Sequence, residues 1–210
     1  GFSDMLSGKF LTFEGVEGAG KSTQIYLLAQ YLKSLGYRVV LTREPGGTAL
    51  GELLRGVLLD DRQKDIVPMA ELLLMAAARA QHIQEKIKPA LESGKWVLCD
   101  RFNDSSIAYQ GAGRGLGVMH VRKLMELLFE SFVPDLTVLL DLEWKDGLSR
   151  ATKNSEGDRF EKEDSKFFEP VRDAFLHLAK NDQRYSVFDA SSSVESTHRR
   201  IVALIKSRFF

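Results

Sequence analysis

Gly15-Val16-Glu17-Gly18-Ala19-Gly20-Lys21-Ser22 lies between an apolar run, Phe10-Leu11-Thr12-Phe13-Glu14, and a stretch from Ser22 to Leu35 that reads as a helix. The octapeptide fits G-x-x-x-x-G-K-[ST], and its flanks are the strand and helix that this pattern needs. Glycines there free backbone N–H groups to converge on an anion, and the helix N-terminus adds partial positive charge. Lys21 is placed to reach terminal phosphates and Ser22 to hold Mg2+. A chance match in a chain of this length arises on the order of once in a hundred times, so a phosphate cradle is the expectation and a plain glycine turn the weaker rival.

Working outward, further strand candidates follow at Arg38–Thr42, Trp96–Cys99, Leu136–Asp141 and Tyr185–Asp189, with helical stretches between them. This alternation predicts an α/β fold, a five-stranded parallel sheet with helices on both faces. Gly36 is expected to stop the first helix. Ser93-Gly94 is expected to stop one running from about Met69 to Glu92, kinked or shortened near Pro89. Val194 to Phe210 carries apolar residues at helical spacing and is expected to pack on the sheet. With 210 residues, one domain over 5–210 is expected; Gly1-Phe2-Ser3-Asp4 before Met5 reads as a cloning remnant.

Lys plus Arg and Asp plus Glu number 29 each, so no global field draws nucleic acid or an acidic membrane. The single cysteine, Cys99, excludes an internal disulfide and a multi-cysteine zinc site and fits a reducing, cytoplasmic setting. No apolar run approaches a membrane span, and no signal-peptide pattern opens the chain.

Ligands of such sheets bind beyond the carboxyl ends of the strands, where this chain repeatedly places polar clusters. Asp100 closes the third strand, the position from which a phosphate-loop enzyme holds Mg2+ opposite Ser22; the alternative is a cap for the next helix at Asn103 or Asp104. Arg101 could clamp a second phosphate or pair with Glu44 or Asp104. Glu17, a carboxylate among phosphate-binding amides, needs a rewarding partner, and a sugar hydroxyl or metal-bound water would supply one. Arg79 interrupts the small apolar stretch Met75-Ala76-Ala77-Ala78-Arg79-Ala80, so it requires a carboxylate of the fold, a ligand carbonyl or a phosphate. Met75 on the same face is more often core than ligand platform. Arg150, Lys153, Arg159 and Lys162 punctuate a polar stretch that reads as a lid at about 150–163 or as an ordinary solvated loop.

Phe13 to Thr23, Thr42-Arg43-Glu44-Pro45-Gly46-Gly47-Thr48, Asp100-Arg101-Phe102 with Ser105-Ser106-Ile107-Ala108-Tyr109-Gln110-Gly111, and Pro134-Asp135-Leu136-Thr137 together resemble the thymidylate kinase family. The resemblance implies a P-loop kinase fold and transfer of the γ-phosphoryl group of ATP to dTMP by direct in-line displacement. It places ATP on Gly15, Val16, Glu17, Gly18, Ala19, Gly20, Lys21, Ser22 and Thr23, with Arg150, Asp189 and Ala190 near the adenine. It gives Glu17 the sugar 3'-hydroxyl, Arg101 the acceptor phosphate and Arg79 the thymine carbonyl. Ser105, Ser106 and Gln110 line the nucleoside pocket, Tyr109 crowds the 2' position, and Arg43 with Pro45 form the acceptor-side loop. Lys21, Arg101, Arg150, Lys153 and Glu17 form the implied catalytic set. Val16 to Ala19 contain no basic residue, which is similar to the bacterial division of the family, where lid cations supply the charge. Two departures stand out: Met75 occupies the place of the usual stacking aromatic, and Thr152-Lys153-Asn154 stand where several arginines are usual. A homodimer is also implied. A GTP-dependent switch is the rival from another class; it is disfavoured because no N-K-x-D motif occurs.

Overall fold

In the computed structural model, residues 8–130 and 132–210 are described; the expectation for Gly1 to Asp4 lies outside them. Five strands form one all-parallel sheet: β1 (Phe10–Glu14), β2 (Val39–Arg43), β3 (Trp96–Asp100), β4 (Leu136–Asp141) and β5 (Tyr185–Asp189), in the order β2-β3-β1-β4-β5. Alternation along each strand divides the core between the two faces. Leu11, Phe13, Leu98, Val138 and Leu140 point to one face, under α1 (Lys21–Ser34) and α9 (Val194–Phe209), where Ile25, Leu28, Ile201 and Ile205 meet them. Phe10, Val97 and Cys99 point the other way, toward Ile83, Ile87 and Phe102. Buried on both faces, the strands read as continuous apolar runs rather than as alternating patterns.

The remaining helices are α2 (Ala49–Leu59), α3 (Pro68–His82), α4 (Lys88–Glu92), α5 (Asn103–Ser106), α6 (Val118–Phe129), α7 (Trp144–Ala151) and α8 (Ser165–Lys180). The expected continuous helix over 69–92 is instead α3, a π-helical turn at Ile83–Ile87, and α4 with Pro89 at its start. Proline has no N–H to give to the preceding turn, and the widened turn absorbs that loss without breaking the rod. A second π-helical segment, Ile107–Gly113, continues α5 and carries Tyr109 and Gln110. The order β3-β1-β4 puts the loops after β1 and β3 side by side, so the cradle and the Asp100-Arg101 turn share one edge.

Candidate active site

At the carboxyl ends of β1, β2 and β3 opens a cavity of about 500 Å3, lined by Glu17, Gly18 and Gly20 to Ser22 of the cradle, by Arg43, Glu44 and Pro45, by Asp100 and Arg101, and by Ser105, Ser106, Tyr109 and Gln110 of the adjoining helix. Arg55, Met75 and Arg79 close one side, and Arg150, Asp158, Phe160 and Glu161 the other. Of the expected site residues, Gly15, Val16, Ala19 and Thr23 of the cradle do not line it, nor do Lys153, Asp189 and Ala190. Lys153 is exposed in the turn after α7. The Asp189 carboxylate is engaged by the backbone N–H and hydroxyl of Ser191, at 2.9 and 2.6 Å.

The cradle is shaped from outside as well as from its own glycines. Gly18 has φ +72°, and a Cβ there would stand 1.8 Å from the carbonyl oxygen of Gly147, midway along α7. Only a bare backbone fits, although Gly18 occupies one of the motif's variable positions. Lys21 donates to the carbonyls of Gly15 and Val16 at 3.3 and 3.2 Å. Burial, helped by the neighbouring Arg101, pulls its amine down to about 8. An arriving phosphate would reverse that shift, because the ammonium form gains an opposite charge.

Glu17 finds its partners across the cavity. Tyr109 donates its hydroxyl to Oε1 at 2.7 Å, and Arg101 Nη2 stands 3.6 Å from the same oxygen. Glu17 Oε2 is buried with no hydrogen-bond partner, an arrangement that asks for a donor from a ligand. Arg101 also donates to Ser105 Oγ at 3.2 Å and lies over the Tyr109 ring, 4.9 Å from its centroid. Neither salt bridge considered for it, to Glu44 or Asp104, forms: those carboxylates pair with Arg79 and Arg184. Its backbone has φ +70°, a left-handed conformation that costs energy in a non-glycine residue and is held by its surroundings.

What holds it is Glu14, which the sequence reading passed over as a strand residue. Its Oε2 accepts the N–H groups of Phe102 and Ser105, both at 3.1 Å, and its Oε1 bonds Ser105 Oγ at 2.6 Å. Glu14, not Asp100, therefore caps α5. Burial, reinforced by the charge of Asp104, raises the Glu14 carboxyl to about 8. Asp100 is left with no side-chain hydrogen bond among the described residues and lines the cavity with Ser22. A carboxylate and a hydroxyl lining one cavity offer oxygen donors of the kind Mg2+ prefers.

On the acceptor side, Arg79 is 2 % exposed. Its Nε donates to Glu44 at 2.6 Å, Nη1 to Ser106 Oγ at 3.0 Å and Met125 Sδ at 3.5 Å, and Nη2 to the Phe102 carbonyl at 3.1 Å. One of its five N–H groups remains for a ligand. Glu44 also bonds His82 Nδ1 at 2.7 Å, whose Nε2 meets Thr42 Oγ1 at 2.6 Å. Glu44, His82 and Cys99 lie close enough to suggest a metal centre, but Arg79 and Thr42 already occupy the atoms that would bind one. Arg43 is turned to Glu52 at 2.9 Å. Arg55, which α2 periodicity alone reads as a surface cation, donates to the Pro45 carbonyl at 2.9 Å and faces the cavity. Burial and then Arg43 pull its pKa down, so it too gains from an anion.

The stretch expected to be a lid is docked at its far end. The Arg159 N–H and Nε donate to the carbonyls of Leu59 and Leu58 at 3.0 and 2.8 Å, and its guanidinium pairs with the buried Glu71. Lys162 pairs with Asp61, and Phe160 is buried. Arg150, at the end of α7, is the basic residue of this stretch that lines the cavity.

The family profile described as thymidylate kinase matches residues 13–201. The chain belongs to the thymidylate kinase family. Among its relatives, thymidylate kinase from Pelobacter propionicus is 50% identical over 205 residues, 94% of each chain. That from Geotalea uraniireducens is 48% identical over 96% of this chain and 98% of its own. The crystal structure of thymidylate kinase from Ehrlichia chaffeensis superposes with a TM-score of 0.78 at 36% identity, covering 95% of this chain and 99% of that one. Membership in the thymidylate kinase family accords with the five-stranded parallel sheet and the phosphate loop described above.

Proposed function

We propose that the chain transfers the γ-phosphoryl group of ATP to dTMP, giving dTDP and ADP, as its thymidylate kinase relatives are named for doing. The observation that carries this reading is the buried, unpartnered Glu17 Oε2 in the same cavity as Lys21 and Arg101. A phosphate loop needs no such carboxylate to bind ATP, whereas a second substrate with a sugar hydroxyl supplies its missing donor.

The residues then divide the work. The cradle amides and Lys21 hold the donor phosphates, with Arg150 above them, while Arg101 and Arg55 hold the acceptor phosphate and Glu17 fixes the sugar. Tyr109, anchored on Glu17, leaves a deoxyribose little room for a 2'-hydroxyl. An acceptor phosphate oxygen attacks the γ-phosphorus as its bond to the β,γ-bridging oxygen breaks, and ADP departs with that electron pair. No general base is required, because the attacking oxygen is already ionised. Catalysis is positioning plus charge neutralisation, supplied by cations that are in place before the reaction. Ser22 and Asp100 would hold Mg2+, which neutralises phosphate charge when bound.

The segment around 150–163 acts in this reading as a lid that excludes water from the transferring group. A homodimer is part of the same proposal. The outer face of α2 and α3 carries Leu50, Leu53, Val57, Met69 and Leu73 exposed, with Leu53 at 71 %, and an uncharged stripe of this kind suits a second copy of the chain. No helix among the described residues is long and apolar enough to cross a membrane, and the buried, unpaired Cys99 fits the proposed cytoplasmic setting.

An ATP-consumption assay across dTMP, dUMP, dCMP, AMP and thymidine, with and without Mg2+, tests the reading. Consumption is expected to depend on acceptor, to be fastest with dTMP and to stop when Mg2+ is chelated. ATP hydrolysis at one rate whatever the acceptor would overturn it.

A further inference from the structure

Glu71 is fully buried in the first turn of α3, yet it touches neither the cradle nor the Asp100-Arg101 turn. Its Oε1 accepts Gln110 Nε2 at 2.6 Å. Arg114 Nε reaches both carboxylate oxygens at 3.2 Å, and Arg159 pairs with Oε2. Arg114 pairs in addition with Glu163. Two carboxylates thus face two guanidinium groups, and donors occupy both oxygens of Glu71. With arginine donors on both oxygens, Glu71 meets Gln110 as an acceptor. Rotating the Gln110 amide by half a turn would set its oxygen against Glu71 at that same short distance, acceptor against acceptor. The amide nitrogen is therefore pinned.

Gln110 is 1 % exposed and lines the cavity. No described group donates to its Oε1, and that oxygen is not among the buried atoms lacking a partner. Its remaining access is to the cavity itself. Arg79, on the adjoining wall, has four of its five N–H groups committed.

We propose that Glu71 is the positioning residue through which the acceptor site selects its base: by holding Gln110 Nε2 it turns Gln110 Oε1 to the cavity as a fixed acceptor. A pyrimidine carrying N3–H, thymine or uracil, donates to that oxygen. Cytosine presents a bare N3, and two acceptors then face each other in a site closed to water, a mismatch costlier than a merely missing contact. This inference rests on the cavity being an acceptor-nucleotide site, and it assigns the choice of base to a residue that the nucleotide does not touch.

The test compares kcat and KM for dTMP and dCMP in the wild-type chain, in Glu71→Gln and in Gln110→Met. A carboxamide at 71 can face Gln110 with either end, so the Gln110 amide is released. Glu71→Gln is expected to raise KM for dTMP and lower the dTMP-to-dCMP ratio of kcat/KM by about tenfold or more, with kcat changed much less. A merely structural role would depress both acceptors together and leave the ratio unmoved. Gln110→Met removes the acceptor while the Glu71 cluster keeps its two arginines, so it remains informative should Glu71→Gln fold poorly; the same collapse of the ratio is expected. An unchanged ratio in Gln110→Met, or in a folded Glu71→Gln, overturns the inference while the kinase reading stands. A wild-type chain that phosphorylates neither nucleotide overturns the kinase reading, and the inference with it.

Discussion

Around the acceptor side of the cavity, Glu44, Glu71, Arg79, His82 and Gln110 are buried and bonded to one another or to neighbouring elements. On the donor side, by contrast, the side chains of Ser22, Asp100 and Arg150 face the cavity with no hydrogen bond among the described residues. The wall assigned to the acceptor is organised by the fold itself, its polar groups bonded to one another without a nucleotide. In the proposed reading, the donor wall consists of groups whose partners arrive with ATP. Preorganisation where the base is chosen, and open valence where phosphate charge moves, is the division that a selective phosphoryl transfer needs. Substitutions on the first wall should therefore register in stability, and those on the second in turnover.

The largest expected effect is from Lys21→Ala, which should lower kcat by about a thousandfold in a coupled ADP-release assay. Its melting temperature should hold or rise. The Lys21 pKa is lowered in the fold to about 8 from 10.5, so below the unfolded value the charged amine is a cost to the folded state, and removing it relieves that cost. A large fall in melting temperature would blur the contrast between the walls. Glu44→Ala should do the reverse, leaving Arg79 buried without its carboxylate and costing about 3–5 kcal/mol of stability in urea unfolding. Unfolding indistinguishable from wild type would break the picture of an internally braced wall.

Arg150→Ala and Lys153→Ala sharpen the boundary between the walls. Arg150 lines the cavity and should lower kcat by about tenfold, the worth of one charge-assisted contact, without changing stability. Lys153 should match that loss only if the exposed turn closes during the reaction, so single-turnover rates of the two variants measure lid closure directly.

The last test is a pH dependence of stability. Glu14 holds its proton up to about 8 in the fold, against 4.5 as a free side chain. Between those values the unfolded chain has released a proton that the folded chain retains, so stability falls as pH rises through the window. Glu14→Gln mimics the protonated group, with an oxygen for the two backbone N–H groups and an amide for Ser105. It should flatten this part of the curve. Urea midpoints at the two ends of the window check it; an equal slope in wild type and variant would mean that Glu14 is ionised.

The strands were legible because a parallel sheet covered on both faces demands uninterrupted apolar runs: the Phe10–Glu14 run, β4 and β5 begin and end where the sequence places them, β3 runs one residue longer, and β2 is displaced by one residue at both ends. The cradle was legible because its backbone requirement is written as glycine. What stayed hidden were pairings made across the chain. Glu71 lies 39 residues from Gln110 and 88 from Arg159, and nothing local to any of the three announces the others. For the same reason Arg159 read as a free lid cation although it is docked. Glu14 ends an apolar strand, so its polar task became visible only when the turn after β3 folded over it.

Where Gly18 and Gly147 meet main chain to main chain, no side chain cushions the join. Any shift of α7 is therefore passed directly to the nest of amides proposed to hold the triphosphate. A small molecule wedged against the outer surface of that helix would loosen ATP from behind, without ever competing for its seat.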